Sequence, residues 1–189
     1  MRIGIYGGSF NPIHNAHVGI VKYILDKLQL DKILIIPVGK ASHRDDVMVD
    51  GEFRKKMCEL AFEGEEKISI SNIEIKSKKL SYTIDTLRKL ISLYGGHHEF
   101  YEIVGEDSAY SFSKWKEYEK ILELSKVVVF RREGYNGGIQ DKNIIYLNTP
   151  LYDISSTMIR EKIKNGESIK NLVPEKVAKF IEENRLYHK

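Results

Sequence analysis

The chain opens with Arg2-Ile3-Gly4-Ile5-Tyr6-Gly7-Gly8-Ser9-Phe10-Asn11-Pro12-Ile13-His14-Asn15-Ala16-His17. Ile3 and Ile5 fit a first strand, and the Gly7-Gly8 pair marks its abrupt end. From Asn15 on, Val18, Val21, Ile24, Leu25 and Leu28 recur at helical spacing. His14 and His17 therefore fall at or near a helix N-terminus, where backbone N–H groups and the helix dipole favour a phosphate. Glycines let the backbone approach an anion closely, Pro12 fixes the turn, and two imidazoles can donate to one charged group.

Downstream, Lys32-Ile33-Leu34-Ile35-Ile36-Pro37 is a nearly continuous apolar run, as expected for a strand buried on both faces of a parallel sheet. It opens into a polar, loop-like segment from Val38 to Asp46. Residues 52–62 read as a helix with Phe53, Met57, Leu60 and Ala61 on one stripe, and Cys58 among them reads as a buried thiol. Ile68-Ser69-Ile70-Ser71 and Ile73-Glu74-Ile75 alternate as half-buried strand structure. Ser81 is the expected N-cap of a helix that turns Ile84, Leu87, Leu90 and Ile91 inward.

Glu99 to Val104 forms the next strand and ends at Gly105-Glu106-Asp107. Trp115, the sole tryptophan, lies eight residues beyond Asp107 between Lys114 and Lys116, either as core packing or as a platform for a ring. A helix with Tyr118, Ile121, Leu122 and Leu124 leads to a buried strand, Lys126 to Phe130, that ends in Arg131-Arg132. Ile144 to Leu147 is the last strand. Ser155, Ser156 and Thr157 stand at a helix start with Arg160 one turn along; hydroxyls there can cap the helix and bind phosphate oxygens. Pro174 takes the first position of a final helix whose stripe is Val177, Phe180 and Ile181.

Strands separated by helices imply an α/β fold, a doubly wound parallel sheet of Rossmann-like type, with the site outside the carboxyl ends of the strands. Residues 1–189 are expected to form a single domain, with 150–189 a helical portion packed on the sheet. The 42% hydrophobic content suits one full core. Lys+Arg 30 against Asp+Glu 27 leaves +3, too balanced for a nucleic-acid-binding footprint. One cysteine excludes an intrachain disulfide and fits a reducing compartment. No signal-peptide pattern and no membrane-length apolar run is present, so the expected location is cytoplasmic.

The first stretch resembles the signature of the nucleotidyltransferases with an HxGH motif, and Gly7 to His17 most resembles the nicotinate-nucleotide adenylyltransferase branch. Asn11 stands where that family commonly has Asp, and Ala16 where it usually has Gly. His43 and Arg44 take the places of the family's His-Lys, with Ala41 and Ser42 replacing prolines. Ser81-Tyr82-Thr83-Ile84-Asp85-Thr86 matches an element that lies beside the mononucleotide, Gly105-Glu106-Asp107 matches Gly-x-Asp, and Asp153 to Arg160 closely matches the second signature. The resemblance covers essentially the whole chain.

It implies catalytic roles for His14, His17 and Arg160. ATP would contact Gly7, Gly8, Ser9, Phe10, His14, His17, Gly105, Asp107, Arg131, Ile154, Ser155, Ser156, Thr157 and Arg160. The acceptor, nicotinate mononucleotide, would contact Ser9, Asn11, His43, Arg44, Tyr82, Thr83, Trp115 and Lys116, with donors near Thr83 and Trp115 aimed at its carboxylate. Which of Arg131 and Arg132 meets nucleotide is left open. Mg²⁺ would be held mainly through ATP phosphates, with no dedicated protein ligands. No nucleic-acid or membrane partner is expected, and a homo-oligomer stays open. Rival readings are an amide or phosphopantetheine acceptor, and a nucleotide sensor without turnover.

Overall fold

In a computed structural model of the protein, the described residues are 1–41, 48–77, 79–131, 134 and 138–188. Strand β1 (Arg2–Gly8) lies at the centre of a six-stranded parallel sheet. On one side stand β2 (Lys32–Pro37) and β4 (Ile68–Ile70); on the other stand β6 (Glu99–Gly105), β7 (Lys126–Phe130) and β8 (Ile144–Leu147). The short strands β3 (Lys40–Ala41) and β5 (Leu80–Ser81) pair with each other apart from that sheet. Strand order runs outward in both directions from the β1–β6 pair, so the crevice between their carboxyl ends is the topological switch point.

Alternation along the strands sorts the core into two layers. Tyr6, Ile33, Ile35, Tyr101, Ile103, Val128 and Phe130 pack on one face against α1 (Asn15–Lys27), α2 (Gly51–Ala61), α6 (Ser156–Lys164) and α7 (Glu175–Glu183). Ile3, Ile5, Leu34, Ile36, Phe100, Val104, Val127 and Val129 pack on the other, against α3 (Thr83–Tyr94), α4 (Glu106–Tyr110) and α5 (Tyr118–Leu124). Helices on both faces make the fold doubly wound, as the sequence pattern implies. Strands buried on both sides need apolar residues at every position, which is why β2 reads as an unbroken run.

Several local expectations are corrected. Ile73-Glu74-Ile75 is a turn, closed by Lys76 N–H to Asn72 O at 3.0 Å and Ser77 N–H to Glu74 O at 2.9 Å. The partner strand β2 ends at Pro37, so the ladder runs out just beyond Ile70. Ser81 belongs to β5 and does not cap α3, whose N-cap is Tyr82; pairing with β3 claims the Ser81 backbone first. Pro174 is the N-cap of α7 rather than its first turn.

The stripe of α2 is also rotated. Phe53 is 38% exposed, while Arg54, Met57 and Cys58 point inward. Apolar periodicity misses this because the buried residue at position 54 is an arginine, held by hydrogen bonds to backbone carbonyls. Cys58 is buried as expected, and burial pushes its thiol above the ordinary range. Ser42, His43, Arg44 and Arg132 lie outside the described residues.

Candidate active site

The turn after β1 is tightly built. Phe10 sits in the left-handed backbone region at φ 44, uncommon for a non-glycine residue and costing on the order of 1–3 kcal/mol. Its ring meets Tyr6 edge-on at 5.4 Å between centroids and His17 at 5.1 Å. The packing holds the turn in that conformation and places His14 as the N-cap of α1, with His17 three residues on.

The His14 and His17 rings stack at 3.7 Å between centroids. The His14 backbone N–H donates to His17 Nδ1 at 3.2 Å. An accepting Nδ1 leaves the proton of neutral His17 on Nε2, so the fold selects the tautomer whose donor is the far nitrogen.

The second signature is tied to the first by hydrogen bonds that span the chain. Ser156 Oγ donates to Pro12 O at 2.8 Å, and the Arg160 guanidinium donates to Asn11 O at 2.9 Å and to Thr157 Oγ1 at 3.3 Å. Ser155 caps α6, its hydroxyl accepting from Met158 N–H at 3.1 Å. The Asn11 side chain is 2% exposed, and its Oδ1 accepts from Tyr187 Oη at 2.9 Å and Val49 N–H at 3.3 Å. Arg54 adds bonds to Ser9 O at 2.9 Å and Val49 O at 3.0 Å. Asn11 is thus bound into the scaffold beneath the turn.

A consequence is testable on stability alone. Tyr187→Phe removes one of the two donors to a buried oxygen and should cost about 1 kcal/mol. Urea unfolding of the variant beside the parent measures it; an unchanged midpoint would show that the bond contributes nothing.

Two cavities meet at the histidines. The first, about 320 Å³, is lined by Ala16, Ile20, Arg131, Ile154 and Met158, with Pro150 to Asp153 along its rim. The second, about 420 Å³, is lined by Gly7 to Phe10, Gly105, Thr83, Trp115, Ser156, Thr157 and Arg160. Tyr6, His14, His17, Asp107, Phe130 and Ser155 line both. Each volume suits a small ligand, and one wall serves both.

Of the residues singled out from sequence, Asn11, Tyr82 and Lys116 line neither cavity. Lys116 Nζ pairs with Asp85 Oδ2 at 2.8 Å and lies 4.7 Å from the centre of the Tyr82 ring, so its charge is largely answered by Asp85. Sequence reasoning passed over Tyr6, Phe130 and the Pro150–Asp153 rim. It also passed over Glu74 and Glu102 in the second cavity, which Ser81 of the element matched beside the mononucleotide lines as well. The second cavity thus holds the carboxyl groups of Glu74 and Glu102 together with Thr83 and Trp115.

The signal for Glu102 was present in the sequence, as one acid inside the apolar run Phe100 to Val104. Burial raises the Glu102 carboxyl well above the usual carboxylate range, and the neighbouring Glu74 adds to the effect. Burial also raises Glu74, opposed by its bond from Thr86 Oγ1 at 2.7 Å. With both folded-state values raised, these groups destabilise the fold as pH climbs from the ordinary carboxylate range through those values, and not below it.

Among the described residues, no group of three or more His, Cys, Asp or Glu side chains converges on a metal position, and no helix is long and apolar enough to cross a membrane. A family model described as cytidylyltransferase-like matches residues 5–162. The chain is 49% identical over 188 residues to the "Probable nicotinate-nucleotide adenylyltransferase" of Fusobacterium nucleatum, covering 96% of this chain and 97% of that protein. It is 40% identical over 195 residues to the protein of the same name from Clostridium tetani, with 97% of each covered. Among solved structures, Plasmodium falciparum nicotinic acid mononucleotide adenylyltransferase complexed with NaAD has the same fold, at TM-score 0.77 and 23% identity over 98% of this chain and 97% of that one. The chain belongs to the cytidylyltransferase-like family, in the branch of the nicotinate-nucleotide adenylyltransferases.

Proposed function

We propose that the protein transfers the adenylyl group of ATP to nicotinate mononucleotide, giving nicotinate adenine dinucleotide and pyrophosphate. The observation that carries this reading is the pair of cavities sharing the His14–His17 wall, an arrangement that brings two ligands together at one anion-binding turn. ATP enters the first cavity beside Arg131 and Ile154, and its triphosphate crosses along Ser155 to Thr157. The acceptor lies in the second cavity with its ring against Trp115.

The acceptor's phosphate oxygen forms a bond to the α-phosphorus of ATP. The bond from that phosphorus to the bridging oxygen breaks, and its electron pair leaves on pyrophosphate. A phosphate monoester is already anionic, so no side chain needs to serve as nucleophile. Catalysis comes from holding the reactants in line and from neutralising charge as it moves onto the leaving group. The His17 Nε2 donor and the Arg160 guanidinium supply the neutralisation.

The donor set fits Mg²⁺ arriving on the nucleotide, since ATP oxygens and waters complete its shell. Asp107, a carboxylate on the wall common to both cavities, would hold that water shell. The ion, when bound, supplies further neutralisation of the triphosphate.

Pyrophosphate release from ATP, measured with nicotinate mononucleotide, nicotinamide mononucleotide and phosphopantetheine in turn, tests the reading. Fast release with the first is expected. Release only with phosphopantetheine, or with none of them, would overturn it.

The ring platform gives a second expectation. Trp115 packs against Phe112 at 5.2 Å between ring centroids and lines the second cavity. Aromatic stacking on a base is worth about 1–3 kcal/mol, so Trp115→Ala should raise the acceptor's Michaelis constant by about tenfold or more. The Michaelis constant for ATP should change little; equal rises for both substrates would remove Trp115 from the acceptor subsite.

A further inference from the structure

We propose that Glu102 is a specificity residue of the acceptor cavity, where its carboxyl meets the ring substituent of the pyridine nucleotide as a hydrogen-bond donor. The proposal rests on the functional reading above and names a group that reading does not use.

Three observations carry it. Glu102 lies in the middle of β6, between Ile5 of β1 and Val127 of β7, and shares its face with Phe100 and Val104. That face is the one covered by α3, so the carboxyl sits beneath the helix whose first residue, Thr83, lines the same cavity. Glu102 is 5% exposed and lines that cavity. No hydrogen bond from a described residue reaches its carboxyl, whereas the adjacent Glu74 accepts from Thr86 Oγ1 at 2.7 Å. A buried polar group without a protein partner is costly, and a ligand atom in the cavity would satisfy it.

The chemistry follows from the groups around it. An acid enclosed by apolar side chains beside a second carboxyl keeps its proton, and a protonated carboxyl offers one O–H donor. Facing it from another element is Glu74 in the turn after β4, on which Lys89 of α3 acts in turn. His14 and His17 at the start of α1, Asp107 on α4 and Arg160 on α6 line the same cavity. Directly opposite it the neighbouring strands carry Ile5 and Val127, both apolar. Asp85 of α3 is already paired with Lys116.

A protonated Glu102 donates to the carboxylate of a nicotinate ring. Once ionised, it repels that carboxylate and instead accepts from the amide of a nicotinamide ring. The preference for acid over amide is therefore greatest at low pH and falls as pH rises. His14 and His17 act on phosphates common to both acceptors, so their contribution cancels in the ratio.

The experiment is the ratio of kcat/KM for nicotinate mononucleotide to that for nicotinamide mononucleotide, in the parent and in two variants at Glu102. Glu102→Leu removes the donor, so its ratio should fall by about tenfold or more, the worth of one charge-assisted hydrogen bond. Glu102→Gln keeps an N–H donor, so its ratio should stay near the parent's. With rising pH the parent ratio should not increase, since an ionised Glu102 repels the nicotinate carboxylate; this arm carries the test if the Glu102 variants do not fold. A Glu102→Leu ratio equal to the parent's, or a parent ratio that climbs with pH, would overturn the inference alone. Turnover of neither acceptor would overturn the functional reading beneath it.

Discussion

Replacing His17 by alanine is expected to lower kcat by about a hundredfold or more while leaving the fold intact, the usual cost of removing one preorganised donor from a developing charge. The reason is positional. His17 stands on the wall common to both cavities, and the bond from His14 N–H to its Nδ1 fixes which nitrogen carries the proton. Stacking on His14 and the edge contact with Phe10 restrict the ring's rotation, so little reorganisation accompanies the reaction. The alanine variant also loses one helix-capping bond, worth about 0.5–2 kcal/mol of stability. Kinetics and thermal unfolding on the same preparation separate the two effects. A variant with near-parental turnover would show that His17 only caps the helix.

Arg160→Ala should produce the next largest loss. The guanidinium joins the two signatures through Asn11 O and Thr157 Oγ1, and it lines the second cavity beside Ser156 and Thr157, along which the triphosphate is proposed to cross. Its removal leaves the Asn11 carbonyl without that donor and takes a fixed positive charge from the site. A fall in kcat/KM for ATP of about tenfold to a hundredfold is expected, with a smaller change for the acceptor. Arg160→Lys keeps the charge but not the planar fork, so it should recover only part of the loss. Equal losses for both substrates in the alanine variant would reduce Arg160 to a structural tie.

What the sequence made legible is what short spacing encodes. The unbroken apolar run of β2, the glycine pair closing β1 and the hydroxyls opening α6 are local patterns, and each has one physical reading. Histidines three apart at a helix start are equally local. The scaffold beneath them is not. Tyr187 reaches Asn11 across 176 positions, and Arg54 reaches Ser9 across 45. Neither contact leaves a periodic trace, and an inward arginine even disguises the true stripe of α2.

Lys116 shows the converse failure. Its charge was visible, but its partner Asp85 lies 31 residues away, and that pairing decides what the charge can do. Ile73 and Ile75 failed for a different reason, because three alternating residues fit a turn as well as a strand once the neighbouring ladder has ended. Glu102 was legible as an anomaly in an apolar strand; its meaning needed the cavity beside it.

The central claim is that the two substrates react directly on one shared wall, with no covalent intermediate on the protein. It is tested most directly by turnover of ATP made chiral at the α-phosphorus with a single sulfur, using nicotinate mononucleotide as acceptor. A single in-line displacement predicts inversion of configuration in the dinucleotide product. Retention would require two displacements through an adenylylated side chain and would contradict the account.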